Sequence, residues 1–224
     1  MKEESLILEY YDSLASRYDV DRFGNSYGRF VHKQEMLFLE RNLLKEKRTL
    51  DLGCGSGRFL SFASIGLDFS PKMIQVAKQK FPVKELKVSD AENTGFETGY
   101  FDQIFSLHVF MHLSKGKTER VLNETCRILR TGGRFIFDFP SAKRRNLINF
   151  SRENWHGAND YSIQELKKST AENWIIRSYS GILFIPIHRL PRFLRKFLLP
   201  LDSWLCKSFL KEYSSYLIVV LEKK

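Results

Sequence analysis

The sequence predicts an α/β fold: a mostly parallel sheet with helices on both faces. Three observations lead there. From Thr49 onward, short apolar runs of strand length alternate with helical segments, the pattern imposed by a parallel sheet with crossover connections. A glycine-rich turn follows the first of those runs directly. The 224 residues are 43% apolar and 28% charged, with 19 Phe, nine Tyr and three Trp, which supplies one core and excludes a disordered or fibrous chain.

Residues 5 to about 45 read as helical. Leu6, Tyr10, Leu14 and Tyr18 recur at helical spacing, and Tyr11 and Tyr18, seven residues apart, fall on one face of a helix. The stretch Asp19–Gly28 is polar, contains glycine and is expected to break the pattern. A second helix follows, with Phe30, Met36, Leu37, Leu39, Leu43 and Leu44 mostly on one side. Strands are expected at Thr49–Leu52, Ile65–Phe69, Leu86–Ser89, Gln103–Leu107 and Arg134–Phe139. Helices are expected at Pro71–Lys80 and Lys117–Leu129. Gly132–Gly133 is expected to end the second of these helices and open the fifth strand. Only about eight residues, Arg58–Ile65, join the glycine turn to the second strand. That leaves room for about two helical turns, a short crossover for a parallel unit.

After Pro140 the composition shifts. Ser141–Tyr213 holds 13 Lys and Arg against six Asp and Glu, which places +7 of the net +10 there. Trp174–Ser180 and Ser215–Leu221 read as strands. Between them runs an apolar and basic segment, 184–210, which Pro186, Pro191 and Pro200 are expected to cut into short pieces.

The surplus of 36 Lys and Arg over 26 Asp and Glu favours anionic partners: phosphates, nucleic acid or an acidic membrane face. Cys54, Cys126 and Cys206 are odd in number and widely spaced, so neither a disulfide framework nor a zinc site is expected. The opening MKEESLILEYY carries acids where a signal peptide needs basic residues. No uncharged apolar stretch of about 18 residues is present to span a bilayer. A soluble cytoplasmic protein is the expectation.

Leu50-Asp51-Leu52-Gly53-Cys54-Gly55-Ser56-Gly57-Arg58-Phe59 is the most informative stretch. Three glycines at alternate positions let the chain turn sharply and let a ligand approach with no Cβ in the way. A helix starting behind them would offer free N–H groups to an anionic group. The same residues also suit a tight turn that binds nothing. The spacing is G-x-G-x-G, not the G-x-G-x-x-G of the dinucleotide fingerprint. Asp68 ends the second strand, where a carboxylate can accept both hydroxyls of a ribose. Val88-Ser89-Asp90-Ala91-Glu92 ends the third strand with a carboxylate placed to meet an adenine amino group.

With three strand ends so arranged, the sequence resembles the class I S-adenosylmethionine-dependent methyltransferases of the small-molecule, methyltransferase type 11-like kind. The resemblance covers roughly residues 8–140 and the last strand. It rests on LDLGCGSG, GLDFSPKMI, SDAEN, FDQIFSLHVFMHL and GGRFIFDFP, and on the leading Tyr10-Tyr11-Asp12 and Tyr18-Asp19. It implies a Rossmann-like seven-stranded sheet of order 3-2-1-4-5-7-6 whose last strand is antiparallel. It also implies the cofactor S-adenosyl-L-methionine, with S-adenosyl-L-homocysteine as product, and a small-molecule acceptor whose accepting oxygen, nitrogen or carbon stays open. The implied roles fall on numbered residues. Gly53, Cys54, Gly55 and Gly57 pass under the methionine part, and Asp51 helps hold its amino group. Asp68 takes the ribose hydroxyls. Phe69 and Met73 lie on the adenine, with Ser70 in the same site, and Asp90 and Ala91 read its edge beside Glu92. Leu107 and His108 line the methionine side, and Tyr11 and Tyr18 belong to a lid. The resulting plan is one domain over 1–224: a helical lid 1–46, a cofactor-binding core 47–140, a substrate-side region 141–213 and a last strand 214–224.

Methyl transfer asks the protein mostly for placement, and for a base when the nucleophile has a high pKa. His108 and His112 follow the fourth strand at i and i+4. Each reads equally as a base and as a residue that packs or lines the cofactor. With no Glu between them and no third ligand, no metal is expected. Asp138, near the end of the fifth strand, and His156, after Trp155, are further base candidates. Ser106-Leu107-His108-Val109 is not the N/D-P-P-Y/F motif of base-amino methylation, so nucleic acid is not an expected partner. Two other readings stay open: a non-catalytic module that binds the cofactor or its product, and a nicotinamide-dependent oxidoreductase, against which the glycine spacing speaks. In 184–210, Arg189, Arg192, Arg195 and Lys196 alternate with Leu190, Phe193, Leu194, Phe197, Leu198 and Leu199. On a helix, Leu190, Leu194 and Phe197 share a face, with the basic residues on its flanks. Such a segment suits a core-packed helix, a cap over a hydrophobic acceptor, or a peripheral contact with an anionic membrane. The oligomeric state is open.

Overall fold

The computed structural model describes residues 2–150 and 159–224. Its centre is one seven-stranded sheet of order β3-β2-β1-β4-β5-β7-β6. The strands are β1 Thr49–Leu52, β2 Ile65–Asp68, β3 Glu85–Val88, β4 Phe101–Ser106, β5 Leu129–Pro140, β6 Trp174–Ile182 and β7 Tyr216–Lys223. The first five run parallel, and β7 is antiparallel to both β5 and β6, as the resemblance implies. The chain leaves β1 toward β2 on one side and returns to β4 on the other, so the switch point, where open sheets form a crevice, lies beside β1.

Side chains alternate across the sheet, and both faces are buried. Phe135, Phe137 and Phe139 join one core with Leu217, Val219 and Leu221. Ile136, Ile218 and Val220, from between them, join the other with Phe105. This is why β5 and β7 read as unbroken apolar runs rather than alternating ones.

Eight helices flank the sheet among the described residues: α1 Lys2–Leu14, α2 Tyr18–Phe23, α3 Ser26–Asn42, α4 Pro71–Lys80, α5 Lys115–Ile128, α6 Ala142–Leu147, α7 Ile163–Ser169 and α8 Arg192–Leu205. Their starts follow local chemistry. The Asn25 side chain accepts from the N–H groups of Tyr27 and Gly28, Ser70 from Met73, Ser114 from Lys117, and Ser162 forms a capping box with Glu165.

Five expectations change. The break expected at Asp19–Gly28 contains α2, because a glycine at position 28 lets α3 lie against it: a Cβ there would come within 2.0 Å of the Arg22 carbonyl oxygen. Tyr11 and Tyr18 do not share a continuous helix, since the chain turns at residues 15–17. No α-helix follows the glycine turn; turns and a single 3-10 turn, Leu60–Phe62, make the whole crossover to β2. Gly132 and Gly133 lie inside β5 rather than before it, at a register shift between Phe101 and Gln103 where a bulge takes up the extra residues. Finally, Pro200 sits inside α8 without ending it. Pro186 and Pro191 do bound a 3-10 turn, Ile187–Arg189.

The short crossover works because it lies directly on β2. Leu60 is fully buried, and a Cβ on Gly66 would stand 2.7 Å from the side chains of Leu60 and Leu86 and 3.0 Å from Cys54 Sγ. Gly66→Ala is expected to destabilise the fold by about 1–3 kcal/mol, the ordinary cost of overpacking. A denaturation midpoint equal to that of the unsubstituted protein would show that the crossover yields freely.

Candidate functional site

The chain leaves β1 through the glycine turn. Gly53 has φ +79°, and a Cβ on it would collide with Val109 at 2.2 Å, so both backbone conformation and space require glycine there. The N–H groups of Gly53 and Cys54 donate to the Leu67 carbonyl at 2.7 and 2.9 Å. The Gly55 N–H donates to Asp68 Oδ2 at 2.8 Å. The turn is thereby tied to the end of β2. A Cβ on Gly55 would meet nothing within 4 Å: it faces open space.

That space is a cavity of about 310 Å³ over the C-terminal ends of the strands. Of the residues singled out from the sequence, Tyr11, Tyr18, Asp51, Gly53, Cys54, Gly55, Asp68, Phe69, Met73, Asp90, Ala91, Leu107, His108 and His112 line it. Four others stand outside that wall. Gly57 faces Leu60 and Phe81. Ser70 caps α4, Glu92 pairs with Lys117 and Arg120, and Asp138 lies behind His108. His156 is outside the described residues.

The carboxyls of the site sit in unusual surroundings. Asp51 and Asp68 are 4% and 6% exposed. Burial pushes the Asp51 carboxyl well above the usual carboxylate range, and no hydrogen bond reaches its side chain among the described residues. Burial also pushes Asp68 up, to about 6, although the N–H groups of Ser70 and Gly55 pull the other way. A cavity walled by carboxyls that burial disfavours as anions is a receptor for positive charge and for hydroxyl donors.

Helices α1 and α2 close over it. Tyr11 Oη shares a 2.8 Å hydrogen bond with His112 Nε2. Ser70 Oγ donates to Asp12 at 2.5 Å, and Ser56 Oγ to Asp19 at 2.5 Å. The rings of Tyr11 and Tyr18 meet at 5.9 Å across the turn between the helices. Tyr11 also meets Phe69 at 6.3 Å, edge to face. On the β3 side, Asp90 Oδ2 lies 3.3 Å from Lys117 Nζ.

Beside His108 stands a network that sequence reading missed. Glu35 of α3 is fully buried. Its two oxygens meet Arg58 Nη1 at 2.6 Å and His108 Nε2 at 2.5 Å. The backbone N–H of His108 donates to Asp138 Oδ1 at 2.6 Å, and its Nδ1 lies 3.9 Å from Asp138 Oδ2. Burial alone would raise the Glu35 pKa, but Arg58 and His108 outweigh it and hold the carboxyl at about 2. Burial alone would lower that of His108, but Glu35 and Asp138 outweigh it and raise it. Asp138 is pushed up by burial, partly offset by His108. The three groups fall within 4.8 Å of one another. With Arg58 on one oxygen of Glu35 and His108 on the other, these contacts form a buried ion-pair network. His108 itself has φ +62°, a strained conformation for a non-glycine residue, held by its contacts. A signal for Glu35 existed: it is an acid on the face of α3 that also carries Val31 and Leu39, four residues either side.

Residues 50–137 match the family model described as a methyltransferase domain. The chain is 35% identical over 138 residues to an uncharacterised protein of Methanocaldococcus jannaschii, covering 61% of this chain and 52% of that one. It is 30% identical over 146 residues to demethylmenaquinone methyltransferase of Thermus thermophilus, covering 58% and 64%. The chain therefore spans about half the length of the first relative and just under two thirds of the second. Among solved structures, Haemonchus contortus phosphoethanolamine N-methyltransferase 1, in complex with phosphoethanolamine and S-adenosylhomocysteine, superposes with a TM-score of 0.69 at 14% identity, over 99% of this chain and 49% of that one. That likeness is one of fold.

The network makes a sharp stability prediction. Arg58→Met removes one partner of a fully buried carboxylate and should cost about 3 kcal/mol at pH 7, read by chemical denaturation. Because the Glu35 pKa is depressed on folding, the pairing contributes fully above about pH 4 and is lost as pH falls toward 2. A loss below about 1 kcal/mol would mean that His108 alone compensates Glu35.

Proposed function

We propose that this chain is a class I S-adenosylmethionine-dependent methyltransferase, one that transfers a methyl group from that cofactor to a small-molecule acceptor. The observation that carries the proposal is the cavity in which the glycine turn, Asp68 at the end of β2 and Asp90–Ala91 after β3 converge. The residues suit the cofactor chemically. Its ammonium and sulfonium are cationic, and its ribose carries two hydroxyl donors. The wall offers the Asp51 carboxyl, which has no donor among the described residues, and the Asp68 carboxylate, whose oxygens keep accepting capacity beyond their two backbone bonds. Gly55 leaves backbone open to the ligand.

In this reading Asp51 holds the ammonium and Asp68 the ribose. Phe69 and Met73 flank the adenine, Asp90 and Ala91 face its edge, and the turn from Gly53 to Gly55 supports the methionine part. When bound, S-adenosylmethionine supplies an electrophilic methyl group, and displacement leaves S-adenosylhomocysteine. The chain contributes placement, exclusion of water by α1 and α2, and handling of the acceptor's proton. Between the two histidines after β4, His112 suits the proton role better. Burial raises the pKa of Tyr11 strongly, so its phenol stays protonated and shares that proton with His112 Nε2. His108, held between Glu35 and Asp138, contributes fixed charge and position instead. The small-molecule class of the acceptor draws support from the demethylmenaquinone methyltransferase relative. A module that binds the cofactor without turning it over has the same cavity and differs only in activity.

Thermal denaturation with S-adenosylhomocysteine tests the proposal directly. A ligand at about 100 times its Kd should add about 2.7 kcal/mol, while NAD should add nothing. A shift with NAD alone would overturn the assignment. Asp68→Ala removes charge-assisted bonds worth roughly 1.5–3 kcal/mol each, so calorimetry should show at least a tenfold loss of affinity in a folded protein. Unchanged affinity would assign the ribose to another residue.

Affinity should also fall in acid. Only ionised Asp68 accepts both hydroxyls, and its pKa is about 6. Binding of S-adenosylhomocysteine should therefore weaken about tenfold from pH 8 to pH 5, since roughly nine tenths of the carboxyl is protonated at pH 5. The effect on stability has the opposite sign. A carboxyl raised on folding takes up a proton between about pH 4 and pH 6, so its contribution falls as pH rises through that window. Asp68→Asn should flatten the binding profile, and an unchanged profile in that variant would place the titrating group elsewhere.

A further inference from the structure

Helix α8 presents an apolar stripe to solvent although its other face is firmly anchored. Phe193 is 68% exposed, Phe197 67%, Leu201 48% and Trp204 66%. At 100° per residue these four and Leu194 fall within an arc of about 100°. Arg192 and Lys196 border that arc on one side, both exposed, and the Lys196 ammonium stands 4.8 Å from the Phe197 ring centroid.

The stripe cannot turn inward, because the opposite face is fixed by buried polar bonds. Asp202 is fully buried. It accepts from Gln34 Nε2 at 2.5 Å and from the Ile185 N–H at 2.6 Å. Leu198 and Leu199 pack against the core that includes α3. Arg195 is not a flank residue of the stripe: its guanidinium donates to Ser26 Oγ, the Leu190 carbonyl and the His188 carbonyl. Rolling α8 by a third of a turn would strand Asp202 among apolar side chains, so the exposed stripe is a fixed feature of the fold.

We propose that α8 is a docking face for an anionic lipid surface, lying in the interface plane with Phe193, Phe197, Leu201 and Trp204 among the acyl chains and Arg192 and Lys196 at the headgroups. A mounted amphipathic helix with bulky apolar residues, one aromatic at each end of the stripe and basic residues at its border, has the composition of an interfacial helix. The charge decides between occupants. The chain carries +10 overall, and 141–213 holds +7 of it, so a second copy of this face would bring like charges together. An anionic bilayer neutralises them, a gain of about fivefold in affinity per basic residue near the surface.

The position of the helix gives the contact a use. Its N-terminal half touches the start of α3 through Arg195 and Ser26, and His188 meets Tyr27 at 5.8 Å. The chain just before it forms α2, whose Phe23 lies over Arg58 and 6.3 Å from His108. A docked α8 would set the lid hinge beside the lipid, where an amphiphilic acceptor resides. That consequence rests on the methyltransferase reading; the docking does not, and it is measured without cofactor.

The test is sedimentation of the full chain with vesicles of phosphatidylglycerol and phosphatidylcholine, against phosphatidylcholine alone. Binding to the anionic vesicles is expected, at least tenfold stronger than to the neutral ones and weakened by salt. Trp204 emission should shift to the blue, and Trp204→Phe should remove that shift. Arg192→Glu with Lys196→Glu should lower affinity at least tenfold, from about fivefold per charge lost. Phe197→Glu with Leu201→Glu should abolish binding with the melting transition retained. Should that pair fail to fold, quenching of Trp204 by brominated acyl chains in the unsubstituted protein decides instead, and its absence overturns the proposal. No sedimentation at low salt also overturns it. So does a dimer in solution that Phe197→Glu with Leu201→Glu converts to monomer, since a second copy would then be what covers the face.

Discussion

Glu35 is a carboxylate with no exposure to solvent, and the arrangement of the site follows from how it is compensated. An unpaired buried anion costs several kcal/mol, so the fold must bring cations to it. It takes Arg58 from just beyond the glycine turn and His108 from the end of β4. One side chain on α3 thereby holds together the two loops that flank the switch point. Arg58, so placed, gives Phe23 of α2 a cation to stack on at 3.8 Å, which seats α2 beside the strand ends. His108, so placed, keeps a positive φ and donates its backbone N–H to Asp138.

The same region concentrates carboxyls that burial disfavours as anions: Asp51, Asp68 and Asp138 are all raised. A fold selected only for stability would place apolar groups at such positions. Two of them, Asp51 and Asp68, wall one cavity, the pattern of a site that a cationic, hydroxyl-bearing ligand completes. The cavity and the Glu35 network divide the labour. One is poised to gain charge compensation from a ligand, and the other is already compensated and supplies rigidity.

The C-terminal third adds a different kind of asymmetry. β6 and β7 close the sheet in antiparallel fashion, and the chain between them is long enough to carry α8 back onto α3. Asp202, buried and accepting from Gln34 and Ile185, fixes which face of α8 looks inward. A single acid inside an apolar stretch thus sets the orientation of a helix, as Glu35 does for α2 through Arg58. In both places a buried carboxyl group supplies specificity of arrangement where apolar contact alone would tolerate several.

Local chemistry determined the strands, the caps at Ser70 and Ser114, and the glycine turn, because each depends on residues within a few positions of one another. The run of motifs also marked out most of the cavity wall, from Asp51 to His112, since strand ends in a parallel sheet converge by topology. Tertiary contact decided the rest. The crossover shrank to one 3-10 turn because Gly66 lets it lie on β2, and Pro200 stayed helical because the turns either side of it are pinned to α3. Glu35 and Arg58, 23 residues apart in the chain, became partners only once α3 crossed the strand ends. Pairings of that kind depend on where distant segments dry each other out, and desolvation is a property of the assembled fold, which no local stretch of sequence carries.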